Sequence, residues 1–179
     1  RAMIKMSEST PRTAEVLDEQ GFLHTGDVGE IDQEGFLRLT GRVKDIFKTS
    51  RGRYVVPAPI EQALMDLPEV DEACVVGQDL PQPLALVRLG DGQYERADAV
   101  RRALAEALER LNATLASSER LGCVVVVDTL WDVDGGFRTP THKLRRNVVE
   151  ATWQAHFHDW LVSGQSVVWH QSEQRQETT

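Results

Sequence analysis

The chain has 179 residues, a formal net charge of −8 and a hydrophobic content of 41%, values that are ordinary for a globular protein. This acidic balance argues against nucleic acid as a partner, because there is no excess of cations to displace counterions from phosphates. No stretch reaches the roughly 18 apolar residues of a membrane-spanning helix, and the first residues lack the apolar core of a signal peptide. The sequence therefore predicts a cytoplasmic protein, and because residue 1 is Arg rather than Met, we expect a piece of a longer chain.

The first half of the chain predicts two β-hairpins. After a short helix expected within residues 10–21, apolar side chains alternate along residues 25–40, and Asp32–Gly35 forms the tip of the first hairpin. The second hairpin pairs DIFKTS with RYVVP around a turn at Arg51–Gly52, where the glycine supplies a positive φ.

The second half alternates between helical and strand patterns. Apolar spacing of three and four residues predicts helices, and uninterrupted apolar runs predict buried strands. The two cysteines lie in such runs, so we expect buried thiols, and without a CxxC motif or a neighbouring histidine no metal site is predicted. The predicted elements are helix 57–67, strands 73–76 and 84–89, helix 97–116, strand 123–128 and a last helix over 144–161.

These elements predict an α+β fold, in which a small mixed β-sheet is covered by a helical layer and accompanied by β-hairpins. We expect residues 44–150 to supply most of the core and the end of the tail after Gly164 to be disordered. Trp153, Phe157 and Trp160 follow helical spacing and are interpreted as core, whereas His156 and His158 lie on different faces and cannot share one metal ion.

Two stretches carry the chemistry that we predict. GRVKDIFKTSRGRYVVPAPIE begins at Gly41, and TPTHKLRRN begins at Thr139. Together they resemble the adenylate-forming enzyme superfamily, and most closely its long-chain fatty acyl-CoA synthetase branch. The resemblance runs from about Thr13 to Val149.

The resemblance implies a division into three parts. Residues 1–42 would be the last strip of a large N-terminal AMP-binding domain, 43–150 a mobile C-terminal α+β domain, and 151–179 a C-terminal helix and tail. The rest of the large domain, with its phosphate-binding loop and carboxylate pocket, would be a missing N-terminal domain of the same protein, because no such loop occurs in this sequence.

Two residues near the start of the resemblance would bind the nucleotide. Asp27, in TGD, matches a carboxylate that accepts hydrogen bonds from the ribose hydroxyls, a role that suits an acceptor-only group. Arg42 matches an arginine that contacts the ribose or a phosphate. From the residues alone, Asp27 would be interpreted as an N-cap or turn residue beside Gly26, and Arg42 has the alternative of a surface cation. The resemblance reverses this and favours nucleotide binding.

The following residues would serve the movement of the domain and the step that forms the thioester. Lys44 falls at the family's hinge, about which the C-terminal domain rotates between two poses. Ser50, Arg51 and Gly52 match the turn that lines the pantetheine tunnel, although Arg51 stands where glycine is common in the family.

Lys143 matches the catalytic lysine of the family. Its ammonium would stabilise the negative charge that develops at the α-phosphate during adenylation. The residues alone would describe it as part of a charge cluster with Arg145 and Arg146. His142 takes the place of an apolar residue, and we interpret it as a tolerated change rather than a base.

The resemblance predicts the C-terminal domain of an ATP-dependent, AMP-forming acyl-CoA synthetase. The complete enzyme would use ATP with Mg²⁺ to activate a carboxylic acid, with a fatty acid expected, and would transfer the acyl group to coenzyme A. A peripheral contact with a membrane is also expected, and the isolated chain should be inactive. Two alternatives stay open: transfer to a carrier protein, or a non-catalytic interaction module in which the site residues are relics.

Overall fold

The structure, a computed structural model, describes residues 16–18 and 20–170. The chain divides into two compact units, the first ending at Lys44 and the second beginning at Asp45. The helix predicted within residues 10–21 lies mostly outside the described residues. The borders predicted at residues 42/43 and 150/151 stay predictions.

The first unit contains the predicted β-hairpin, formed by β1 (Asp27–Ile31) and β2 (Leu37–Arg42). Its tip is fixed by Asp32, whose carboxylate accepts hydrogen bonds from the backbone N–H groups of Glu34 (3.0 Å) and Phe36 (2.9 Å). Gly35 completes the turn with a φ of 88°, which a residue with a Cβ atom adopts only with strain.

The second unit is built on a mixed sheet of four strands in the order β5–β6–β7–β8. The strands are β5 (Val70–Val76), β6 (Leu84–Leu89), β7 (Val124–Val127) and β8 (Val167–His170). β5 and β6 are antiparallel, whereas β7 and β8 each join in parallel. The predicted α+β class with a small mixed sheet is confirmed, and β8 is a strand that the sequence patterns did not predict.

Helices cover both faces of this sheet, rather than the single face expected. They are α1 (Pro57–Met65), α2 (Ala97–Thr114), α3 (Arg146–Trp153) and α4 (Phe157–Val162). The apolar residues of α1 and α2 belong to one buried cluster, and those of α3 and α4 to a second. Because alternate side chains of a strand enter opposite clusters, β7 must be apolar at every position, and it reads VVVV.

The predicted second hairpin is present as a short pair, β3 (Phe47–Lys48) and β4 (Tyr54–Val55). Phe47 and Val55 are buried in the same cluster as α1 and α2. These two side chains attach the turn between the strands, residues 49–53, to the core.

The aromatic stripe near the C-terminus is core, as expected. Trp153, Phe157 and Trp160 are 3%, 5% and 7% exposed. The predicted helix over 144–161 is wrong in one respect, since a 3-10 turn at Gln154–His156 separates α3 from α4. That turn re-aims the second helix so that its aromatic residues also face the sheet.

Both cysteines are buried, as predicted, and have no disulfide partner among the described residues. Burial raises the pKa of Cys123 to about 11 and raises that of Cys74 further still. Both thiols therefore stay protonated and unreactive at neutral pH.

No helix in the described part of the chain is long and apolar enough to cross a bilayer.

An ion pair between two largely buried side chains joins three elements of the second unit. Arg146, the first residue of α3, donates two hydrogen bonds to the Glu61 carboxylate of α1, at 2.5 and 3.1 Å. The same pair binds both backbone groups of Val75 on β5: Glu61 accepts from its N–H at 2.7 Å, and Arg146 donates to its carbonyl at 2.5 Å. Burial alone would lower the pKa of Arg146, but its bonds to Glu61 raise that pKa above the ordinary value.

Replacing Glu61 with Gln should lower the free energy of unfolding by about 3 kcal/mol, because the Arg146 charge would remain buried without its counterion. Chemical denaturation followed by Trp fluorescence measures this change. The matched control is Glu106→Gln, which breaks a pair with Arg110 whose side chains are 70% and 66% exposed, and it should cost less than about 0.5 kcal/mol. Equal losses in the two variants would contradict the importance assigned to the buried pair.

Candidate functional site

Asp27 and Arg42 lie opposite each other on the first hairpin. They are Cα partners in the register of β1 and β2, and the Arg42 Nε atom is 3.1 Å from an Asp27 carboxylate oxygen. The Asp27 side chain is 24% exposed and that of Arg42 46%. The two residues predicted to bind nucleotide are therefore brought together, in an arrangement that leaves carboxylate and guanidinium groups accessible to a ligand.

A cavity of about 400 Å³ lies beside this pair and is lined by Thr25, Gly26, Arg42, Val43 and Lys44. Gly26 has a φ of 75°, and its carbonyl accepts a hydrogen bond from the Val43 N–H at 2.8 Å. This turn closes the base of the hairpin and positions Asp27. A cavity with an arginine, a lysine and a hydroxyl group on its wall has the chemistry to bind an anionic or polyhydroxylated ligand.

Lys44 lies in a 3-10 turn, Val43–Asp45, at the point where the two compact units divide. Its side chain is exposed. The hydrogen-bond geometry of a 3-10 turn is poorer than that of an α-helix, so such a turn rearranges more easily. The hinge role itself stays a prediction.

The turn at Ser50, Arg51 and Gly52 is held at both ends. The Thr49 N–H donates to the Arg53 carbonyl and the Gly52 N–H to the Thr49 carbonyl, each at 2.9 Å, and the Ser50 N–H donates to the Leu80 carbonyl at 2.9 Å. Gly52 has a φ of 76°, and all three turn residues are exposed. The result is a rigid turn with an open surface, as a thin ligand arm would require.

Lys143 is held in a tight loop by Thr139. The Lys143 N–H donates to the Thr139 hydroxyl at 3.1 Å, and the Thr139 N–H donates to the Lys143 carbonyl at 2.9 Å. A bridge between Arg138 and Leu144 closes the loop. The Lys143 side chain is exposed, and its ammonium forms no hydrogen bond or ion pair with any residue that the structure describes.

The sequence patterns did not identify the residues that support this loop. Arg138 donates a hydrogen bond to the His142 carbonyl at 2.5 Å, and Arg146 anchors the start of α3 just after the loop. The one available signal was that Glu61 and Arg146 both lie within the matched stretches. No hydrogen bond or ion pair among the described residues links the Ser50–Gly52 turn to Lys143.

No group of three or more His, Cys, Asp or Glu side chains in the described part of the chain could hold a metal ion. His156 and His158, which were not expected to share a metal ion, are both exposed.

His142 occupies a strained position in the loop, with a φ of 60°. Replacing it with Gly should raise the free energy of unfolding by about 0.5–1 kcal/mol, because glycine adopts this φ without a Cβ clash. The greater conformational entropy that glycine gives the unfolded chain offsets only part of this stabilisation. The control is His158→Gly, the same change in helix α4, which should lower the free energy by about 0.5 kcal/mol. Urea unfolding measures both, and a loss of stability in His142→Gly would contradict the strain.

Comparison with known proteins identifies the family. The family model for the AMP-binding enzyme C-terminal domain matches residues 44–159. Long-chain-fatty-acid–CoA ligase ACSBG1 of Macaca fascicularis is 30% identical over 173 residues, covering 77% of this chain and 24% of the relative. Human long-chain-fatty-acid–CoA ligase 1 is 32% identical over 154 residues, covering 75% and 22%.

Solved structures agree with the sequence relatives. The adenylation domain of a carboxylate reductase from Mycobacterium chelonae superposes with a TM-score of 0.69 at 27% identity, covering 85% of this chain and 25% of that one. Apo MatB from Rhodopseudomonas palustris gives a TM-score of 0.58 at 29% identity, covering 80% and 26%. This chain spans about a quarter of the length of these proteins, and it belongs to the family of AMP-binding enzyme C-terminal domains of adenylate-forming enzymes.

Proposed function

We propose that the chain acts as the C-terminal domain of an ATP-dependent, AMP-forming acyl-CoA synthetase of the long-chain fatty acid type. The observation that carries the proposal is Lys143: a lysine whose backbone is clamped at both its N–H and its carbonyl, while its ammonium is left exposed and unpaired within the described structure. The curated relatives named as long-chain-fatty-acid–CoA ligases support the choice of substrate class.

In the first half-reaction, a carboxylate oxygen attacks the α-phosphorus of Mg²⁺-ATP and pyrophosphate leaves, which gives an acyl-adenylate. Negative charge grows on the α-phosphate oxygens in the transition state, and a fixed cation stabilises it. Two unit charges 4 Å apart interact by roughly 4 kcal/mol at an effective dielectric of about 20. A clamped loop delivers the Lys143 ammonium to one place, so little of that gain is lost in ordering the backbone.

Asp27 and Arg42 would bind the nucleotide. Their side chains are 3.1 Å apart, so one carboxylate can accept hydrogen bonds from two ribose hydroxyls while the neighbouring guanidinium contacts ribose or phosphate. The ion pair also keeps the carboxylate oriented before the ligand arrives. Mg²⁺ would enter with ATP.

In the second half-reaction, the thiol of the acceptor attacks the acyl carbonyl carbon, and AMP leaves. The exposed Ser50–Gly52 turn would line the tunnel for the pantetheine arm, with Arg51 in place of the family's common glycine. Rotation of the C-terminal domain about Lys44 would move Lys143 away from the large domain and bring this turn to face it instead. The division of the chain into units between Lys44 and Asp45 supports that hinge. A cytoplasmic location and a peripheral membrane contact stay predictions.

A carrier protein is the second candidate acceptor. It presents the same phosphopantetheine arm as coenzyme A. This chain also has a TM-score of 0.67 to the A-PCP didomain of a carboxylic acid reductase from Segniliparus rugosus. Thioester formation by the complete protein, assayed in parallel with coenzyme A and with a phosphopantetheinylated carrier, separates the two. Faster turnover with free coenzyme A is the result that the proposal expects.

Lys143→Ala should lower ATP–pyrophosphate exchange by the complete protein at least about 100-fold, because the developing phosphate charge loses its fixed cation. The 179-residue chain by itself should give no exchange, since Lys143 would lack a bound substrate to act on. Both rates are measured by the incorporation of radiolabelled pyrophosphate into ATP in the presence of a fatty acid.

The matched control is Arg110→Ala, which removes an exposed cation from α2 and should retain exchange. Measurable exchange by the isolated chain, or full exchange by Lys143→Ala, would contradict the proposal.

A further inference from the structure

Arg138 lies five residues before Lys143 and has three acceptors. Its Nε atom donates to the Trp131 carbonyl at 2.7 Å, one Nη atom donates to the His142 carbonyl at 2.5 Å, and the other donates to the Glu72 carboxylate. The side chain is 26% exposed. One guanidinium thus joins the segment before the loop, the loop residue that precedes Lys143, and the sheet.

Glu72 belongs to β5, so the sheet fixes the far end of this contact. The Glu72 carboxylate also accepts from Arg88 of β6 at 2.5 Å, and Arg88 is the Cα partner of Glu72 in the strand register. The Glu72 side chain is 15% exposed and that of Arg88 14%. A carboxylate that is already bound by a guanidinium of the neighbouring strand is a rigid acceptor for Arg138.

The contact to His142 bears directly on Lys143. The His142 carbonyl and the Lys143 N–H belong to one planar peptide unit, and His142 has the unfavourable φ of 60°. Arg138 holds that peptide from the carbonyl side while the Thr139 hydroxyl holds it from the N–H side at 3.1 Å. Loss of the guanidinium would leave a strained peptide free to rotate, and the lysine would rotate with it.

The segment before the loop is anchored by its own core residues. Trp131 and Phe137 are 2% and 7% exposed, and both pack against Trp153 of α3, at ring-centroid distances of 6.3 and 5.7 Å. These contacts do not involve Arg138. Removal of its guanidinium should therefore loosen the loop without releasing the segment that leads into it.

We propose that Arg138, braced by Glu72, is a positioning residue that sets the direction of Lys143 for the adenylation step; the inference rests on the function proposed above. Because Lys143 serves only the first half-reaction, a defect in its positioning is confined to that half. A purely structural role would weaken both halves alike.

The test compares Arg138→Gln with wild type in the complete protein, one half-reaction at a time. The rate constant for single-turnover formation of acyl-adenylate from ATP and a fatty acid should fall about 10- to 100-fold, in line with the effect of a misplacement near 1 Å. The ATP concentration that gives half of the maximal rate should change little. Thioester formation from preformed acyl-adenylate and coenzyme A should stay within about twofold. Arg138→Lys, which retains the charge but not the fork of donors, should recover only part of the first rate.

Arg110→Gln is the matched control. It removes an exposed guanidinium from α2, where Arg110 is paired with Glu106, and Arg110 makes no hydrogen bond to the lysine loop among the described residues. This variant should leave both half-reactions, and therefore their ratio, unchanged.

Hydrogen exchange on the 179-residue chain provides a second readout that needs no activity. The amides of His142 and Lys143 should exchange at least about tenfold faster in Arg138→Gln than in wild type or Arg110→Gln. Three results would overturn this inference: an Arg138→Gln variant that forms acyl-adenylate as fast as wild type, an equal loss in both half-reactions, or unchanged amide exchange. A wild-type protein that forms no acyl-adenylate would instead overturn the proposed function, and its exchange data would still decide whether Arg138 orders the loop.

Discussion

The bidentate pair between Glu61 and Arg146 is the interaction on which the second unit depends. It lies where α1, β5 and the first residue of α3 meet, and both partners also bind the backbone of Val75. Since Arg146 follows Lys143 by only three residues, the pair that joins these elements also fixes the downstream end of the lysine loop. Arg138 fixes the upstream end through Glu72, so two carboxylates, one from α1 and one from β5, hold the loop from both sides.

Lys143 contrasts with these supporting cations. Arg146, Arg138 and Arg88 are largely covered and paired with carboxylates, whereas the Lys143 ammonium is exposed and has no partner in the described part of the chain. Paired arginines build a rigid frame, because their planar forks bind several acceptors at once. A lysine left unpaired on such a frame is available to stabilise charge on a substrate, and the proposed catalytic role follows from that difference.

Periodicity predicted the elements whose patterns are long and local. The first hairpin, α1, α2 and the apolar strands were predicted because alternation and helical spacing are visible within a few residues. β8 was missed because VVWH is a short apolar run in a polar tail, and the break between α3 and α4 was missed because Gln154–His156 contains neither Gly nor Pro. The family resemblance, not periodicity, pointed to Asp27, Arg42 and Lys143. The support from Arg138 had no local signal, since its partner Glu72 is 66 positions away.

We propose that this domain serves the two steps with two separate structures, the lysine loop and the Ser50–Gly52 turn. The most direct measurement takes Lys143→Ala and Gly52→Leu in the complete protein and assays acyl-adenylate formation and thioester formation from preformed acyl-adenylate. We expect Lys143→Ala to lose the first step and keep the second. Gly52→Leu adds a bulky side chain at an exposed residue whose φ is 76°, and we expect it to keep the first step and lose the second. Loss of the same step in both variants would contradict the account.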